Sequence, residues 1–288
     1  MLLWFAFHPG GVLAEGMPAN SHQANNETGQ FRANPAGNNQ QQEKNGHISP
    51  LPNTTPLVGI IVDDLGHLRM AGLRALRLPG DLSFSFLPNA PYARELAEVA
   101  RELGKEILLH IPMESRGGHN LGPGGLTKEM TRAELTESVC ASIKTIPYAR
   151  GLSNHMGSLL TSRKRPMRWL MEAMLACGPK NGNGLYFVDT QTTGATVAAA
   201  TAREYKIPTL ERDIFLDHKP DPDAILAGFR QLVQKAKKRG TALGIAHPYP
   251  ETLTILKRVL PQLEDRGVTL VPVSTLLAKR TQGRKQSD

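Results

Sequence analysis

The chain reads as an α/β fold, a barrel of seven or eight parallel strands wrapped in helices, and three observations point there. Strand-like and helix-like runs alternate from Leu57 onward, the order that a parallel sheet with helical covers produces. The first strand-like run, LVGIIV at 57–62, is apolar at every position, as expected of a strand buried on both faces. Four runs end in residue types that ligate metals, Asp63 with Asp64, His110, His155 and His247, and the C-terminal ends of parallel barrel strands meet at one mouth. An open doubly wound sheet has the same alternation; the strand count favours the barrel.

Residues 1–56 stand apart. MLLWFAF followed by small residues resembles a clipped export signal without a basic lead, too short to span a bilayer. From Asn20 to Pro56 the composition is dominated by Asn, Gln, Gly, Pro and Ser with almost no aliphatic residues, which cannot offset the entropy of ordering and predicts a disordered linker. An extracytoplasmic, periplasmic location is the expectation.

Each later element has its own reason. LSFSFLP (82–88) and EILLHIP (106–112) flank a helix from about Tyr92 to Leu103, with Leu96, Val99, Ala100 and Leu103 at helical spacing, a βαβ crossover. The next helix starts at Thr131 with Glu134 three residues on, a capping box, and aligns Leu135, Val139 and Ile143. Met167 to Cys177 forms a helix ended by Gly178, its stripe of Met167, Met171 and Met174 read as core. LYFVD (185–189), an Ala-rich helix near 195–205 and a short strand at Pro208 to Leu210 follow. A helix over 222–239 ends in Lys237, Lys238 and Arg239, cations at the negative end of the dipole, with Gly240 beyond. ALGIAH, a helix from about Glu251 and VTLVPVS close the barrel domain at 277, leaving 278–288 as a basic tail. The GPGG at Gly122 to Gly125 lacks the spacing and lysine of a phosphate loop and is read as a turn.

The formal charge of +8 raises nucleic acid as a partner, but the cluster of Arg163, Lys164, Arg165 and Arg168 has only Trp169 beside it and no interleaved stacking residues. A solvated face is the better reading, with weak attraction to an anionic envelope polymer as the alternative, and no nucleic acid or transmembrane role is expected. Cys140 and Cys177 make neither a disulfide framework nor a zinc knuckle and are read as small core residues.

Adjacent carboxylates at a strand end point in different directions, so of Asp63 and Asp64 one can bind a cation while the other takes a proton. One Asp with two His, here His110 and His155, is a common catalytic zinc set with positions left for water and substrate. His247, followed by two prolines that fix the loop, has the right ordinary pKa to protonate a leaving group, or else caps the next helix as a structural histidine. Asp189, Arg212, Asp213 and Asp217 complete a polar ring that orients the histidines or pairs within itself. His67, His119 and His218 are read as solvated.

VDDLG, LLHIPME, NHMGS, FVDT, RDIFLD and AHPYPET, in this order over 57–277, resemble the divergent polysaccharide deacetylase family, of the YibQ type. The resemblance implies a NodB-like distorted barrel, an exported location, a divalent metal such as zinc, and an acylated glycan as substrate. It makes Asp63 the base, Asp64 a ligand and His247 the general acid. Wider deacetylase families place two histidines four apart, but Leu159 stands four after His155, so the resemblance leaves His110 as the second histidine. The expected function is a metal-dependent hydrolase removing N-acetyl groups from an envelope polysaccharide. The alternatives are a noncatalytic envelope protein binding glycan or a partner on the same barrel, and another metal hydrolase such as a phosphoesterase.

Overall fold

A computed structural model describes residues 55–180 and 184–285, and the expectations made for residues 1–54 lie outside the described residues. The chain runs β1 (Leu57–Leu65), α1 (Arg69–Leu76), β2 (Ser83–Phe86), α2 (Ala93–Glu102), β3 (Glu106–Met113), α3 (Arg132–Thr145), β4 (Gly151–Met156) and α4 (Lys164–Cys177). It continues with β5 (Tyr186–Asp189), α5 (Ala198–Glu204), β6 (Thr209–Glu211), β7 (Ile214–Phe215), α6 (Pro222–Arg239), β8 (Thr241–Ala246), α7 (Pro250–Val259), β9 (Thr269–Leu270) and α8 (Val273–Lys285). Two predicted caps form as their residues dictate. Thr131 and Glu134 close a reciprocal capping box on α3, and Gly240 ends α6 in the left-handed conformation.

All strand pairings are parallel, in the order β6-β5-β4-β3-β2-β1-β8-β7, with β9 against β1. The two ends of this curled sheet belong to one stretch of chain: β6 bonds to β5, and two residues later β7 bonds to β8. The barrel therefore closes through Arg212 and Asp213, whose amides donate to Asp189 and Leu243 on either side. β6 and β7 do not pair with each other, so the sheet is a curled barrel joined at this point by the chain rather than by a strand ladder.

Side chains alternate between two environments along every strand. On β1, Val58, Ile60 and Val62 face the helices and join the large outer core, whereas Ile61 belongs to the smaller cluster inside the barrel. On β2, Phe84 and Phe86 are fully buried toward the helices while Ser83 and Ser85 take the other face. Each such Phe contributes about 1.5–3 kcal/mol through burial. The inner face of β3 carries Glu106, Leu108 and His110, and that of β8 carries Leu243 and Ile245.

The N-terminal mouth is plugged by α8. Leu276 lies where a β-carbon on Gly59 would come within 3.0 Å, and Val273, Leu276 and Leu277 pack into the inner cluster. Two expectations change here. VTLVPVS forms strand only at Thr269–Leu270, because β9 reaches just the first two residues of β1 before the chain turns into α8. The residues expected as a basic tail from 278 continue α8 to Lys285, anchored by Arg280 pairing with Asp213.

The reading of the cysteines is corrected as well. Cys140 on α3 and Cys177 on α4 are bonded to each other, with Cα atoms 5.3 Å apart, and neither is fully buried. A separation of 37 residues carries no hint that two helices will face each other at these positions. The basic cluster is a solvated face, with Lys164 bound to Glu204, Arg168 to Tyr205 and Arg165 over Trp169.

Candidate metal centre

Inner-face alternation carries Asp63 into the mouth, since it follows Ile61 by two. A regular strand would send Asp64 the other way. Instead Asp64 has φ +61°, and both carboxylates reach the same atom: His110 Nε2 is 3.1 Å from Asp64 Oδ1 and 3.8 Å from Asp63 Oδ2. Gly66 completes the turn at φ +128°, where a β-carbon would stand 2.7 Å from that of Ala90. Asn89, Met156 and Gln191 also adopt positive φ at or just past the ends of β2, β4 and β5. Backbone strain thus gathers at the C-terminal mouth, a common feature of functional sites.

His155, the register partner of Pro112 across β3 and β4, brings Nδ1 to 2.7 Å from Asp64 Oδ1. One ligand atom from each of Asp64, His110 and His155 lies within 4.8 Å of the other two. These contacts lack hydrogen-bond geometry: Asp64 Oδ1 and Asp63 Oδ1 are buried without a hydrogen-bond partner. An unpartnered buried carboxylate oxygen is costly in a folded protein. Two imidazoles and a carboxylate crowded around it suit a small divalent cation, and tetrahedral zinc bonds of about 2.0–2.1 Å need only slightly wider spacing. The residues fit a metal.

The surroundings hold the donors in place. His110 Nδ1 is 2.7 Å from Ser153 Oγ, its register partner, and Ser153 is 2.8 Å from Ser85 Oγ. With Nδ1 donating to Ser153, Nε2 presents its lone pair to the mouth, the tautomer a ligand needs. Burial by itself raises the Asp64 carboxyl, but His110 and His155 outweigh it and hold the group well below the ordinary carboxylate range. Asp63 is pushed up by burial, only partly offset by His110 and His247, with Asp64 adding to the rise.

His247 stands across the mouth, Nε2 3.8 Å from Asp64 Oδ2. Asp217 fixes it from behind, accepting from His247 Nδ1 at 2.9 Å and from its backbone N–H at 2.6 Å, while Thr252 Oγ1 donates to the same carboxylate. Burial lowers the His247 pKa, yet Asp217, Asp64 and Asp63 together raise it above the ordinary value. A cavity of about 190 Å³ opens between His247, Asp63 and His155, walled by Met156, Phe215 and Ile245.

Over residues 60–277 the sequence matches the family described as divergent polysaccharide deacetylase. The chain belongs to that family. Among its relatives is the uncharacterized protein YibQ of Escherichia coli (strain K12), 32% identical over 220 residues that cover 76% of this chain and 67% of YibQ. An uncharacterized protein of Haemophilus influenzae is 31% identical over 219 residues, 76% of each chain. The crystal structure of uncharacterized protein ATU2773 from Agrobacterium tumefaciens C58 aligns at a TM-score of 0.72 and 25% identity, covering 79% of this chain and 92% of that one.

The polar ring of this family member divides by alternation. Arg212 shares the inner parity of Leu210 and lines the cavity, its guanidinium donating to the carbonyls of Thr190 and Gln191 and lying over Phe215. Asp213 has the opposite parity, so the expectation that it orients the histidines is corrected: its carboxylate binds Arg280, Lys235 and the N–H of Leu243. Asp189 is likewise outward of Val188 and holds the following loop, accepting from Gln191 N–H, Thr196 Oγ1 and Ala199 N–H. Orienting a histidine falls to Asp217. Sequence reading missed Ser85 and Ser153, although the alternation in SFSF marks Ser85 as facing away from the apolar side.

Proposed function

We propose that this divergent polysaccharide deacetylase is a metal-dependent amide hydrolase that removes acetyl groups from an envelope polysaccharide. The observation that carries the reading is the convergence of Asp64, His110 and His155 around an unpartnered buried oxygen, with Asp63 and His247 flanking it. A divalent cation bound there, zinc by its donor set, supplies a Lewis acid for the amide carbonyl and acidifies water toward a pKa of about 7. Asp63 takes the proton as water forms its bond to the carbonyl carbon. Its raised pKa makes it a stronger base than an ordinary carboxylate, and its free Oδ1 is available to accept. His247, whose pKa Asp217 helps to raise, gives a proton to the nitrogen as the carbon–nitrogen bond breaks, and the amine leaves neutral. Asp217 and Thr252 keep Nε2 turned to the substrate.

The disulfide between α3 and α4 supports an extracytoplasmic location, because such bonds persist in oxidising compartments. Among the described residues no helix is long and apolar enough to cross a membrane. The reading is tested by metal analysis of untagged protein and by acetate release from acetylated glycans with zinc, cobalt, nickel or manganese supplied. Release that stops on chelation and returns with metal is the expected result; metal content without any release favours a glycan-binding protein.

A further inference from the structure

On the outside of the barrel α1 and α7 pack against each other, and between them lies a cleft of about 370 Å³, a size typical of ligand pockets. Arg74 and Arg77 line it from the end of α1, and Lys257 from the last turn of α7. Pro248, Pro250 and Leu253 give it an apolar wall. No acidic or histidine side chain lines it, and none of its residues belongs to the cavity at the metal centre.

The three cations are exposed, and among the described residues none of their side chains makes a hydrogen bond or an ion pair. The charges nearby are engaged or stand outside the cleft. On α2, which packs against α1, Glu95 binds Arg69 and Glu98 binds Arg94. Lys105 donates to the carbonyls of Leu78 and Gly80, while Glu251 on the first turn of α7 and Asp81 beyond α1 do not line the cleft. Elsewhere Arg132, Lys164 and Arg203 each face a carboxylate. Arg74 and Arg77 stand three apart, where like charges repel, and Lys257 adds to the same field. A cation in the last turn complements a helix dipole, but Arg258 already serves α7 from outside the cleft. The dipoles therefore leave three like charges around one cleft unexplained, and a bound anion accounts for them.

Two guanidinium forks and an ammonium suit phosphate, which takes paired bonds from arginine and a point charge from lysine. The prolines and Leu253 beside them offer an apolar surface to whatever carries the phosphate. We infer that the cleft between α1 and α7 binds a phosphate ester, with Arg74, Arg77 and Lys257 on the phosphate and Pro248, Pro250 and Leu253 against its organic part. Pro248 directly follows His247, so an occupied cleft holds a phosphate-bearing molecule against the loop that carries that histidine. The inference stands apart from the hydrolase reading.

Binding is measured by calorimetry on the full chain, with glucose 6-phosphate as the soluble ester and glucarate, a dicarboxylate of similar charge, as the control. Vesicles of phosphatidylcholine with and without phosphatidic acid present the same phosphate on a lipid. Because phosphate also binds metal ions, each titration is repeated after chelation. Glucose 6-phosphate is expected to bind at least tenfold tighter than glucarate, more weakly as salt rises, and equally after chelation. Arg74→Gln, Arg77→Gln and Lys257→Gln, all at exposed positions, should each weaken it about tenfold, the effect of losing one hydrogen bond to a charged group, and the triple variant should abolish it. An unchanged thermal midpoint in these variants is the control for folding. Cleft-dependent binding to phosphatidic acid vesicles assigns the phosphate to a lipid surface, and binding to the sugar phosphate alone assigns it to a soluble ester. Binding to neither phosphate probe, binding that survives in the triple variant or is lost on chelation, or glucarate binding as tight as phosphate would each overturn the inference.

Discussion

The two mouths of the barrel each hold buried carboxylates, and they are treated in opposite ways. At the N-terminal mouth, both oxygens of Glu106 have a donor: Ser83 Oγ donates at 2.6 Å and the N–H of Ser274 is shared at 3.1 and 3.2 Å, so the carboxylate caps the start of α8. At the C-terminal mouth, Asp63 and Asp64 keep an oxygen each without a donor, beside histidines aimed inward. Burial alone therefore does not mark a functional carboxylate. The mark is burial with hydrogen-bonding capacity left open, on backbone held in a strained conformation.

The largest effects belong to the C-terminal mouth. His155→Ala removes one of three ligands and should cut metal content severely, read by elemental analysis; full occupancy would take His155 out of the ligand set and weaken the contrast between the mouths. Asp63→Asn and His247→Ala should each retain metal and lose about 10²–10⁴ in acetate release, the range for removing base or acid assistance. The rate should be bell-shaped in pH. It rises as Asp63, whose pKa lies above the ordinary carboxylate value, loses its proton, and falls as His247, also raised, loses its own. Asp217→Asn removes the carboxylate that lifts His247, so the alkaline limb should move to lower pH.

Intermediate effects lie outside both mouths. Replacing Cys140 and Cys177 together by Ser should cost about 2–4 kcal/mol in denaturant unfolding, the usual value of a disulfide closing a loop of this length. Two titratable thiols in protein made in an oxidising compartment would contradict the bond. The smallest effect sharpens the comparison most. Glu106→Ala should destabilise the fold by about 1–3 kcal/mol, the cost of leaving buried donors unmet, with metal content unchanged. If that variant lost its metal, the two mouths would be coupled and their separation into support and site would fail.

Much of this was legible along the chain because local patterns carried it. Alternating apolar and helical runs, the Thr131–Glu134 box, the Gly240 stop and the ligand-type residues after apolar strands are short-range signals, and they located the elements and four of the strand ends. The disulfide and the plug by α8 depend on which distant segments meet, and the division of the polar ring was hidden for a separate reason. In runs such as LVGIIV both faces are apolar, so period-two alternation leaves no trace, and the faces on which Asp189, Arg212 and Asp213 stand could not be counted off from them.

By itself the sequence determined an α/β barrel and the residues able to do chemistry at its mouth, since hydrophobic periodicity and residue type act over a few positions. The tertiary structure decided which of those residues meet. Strand register set Ser153 against His110, the left-handed turn at Asp64 brought both aspartates to one imidazole, and the packing around β7 and β8 left Asp217 rather than Asp213 behind a histidine. Those outcomes depend on contacts between residues far apart in the chain, whose geometry is set by packing of the whole barrel.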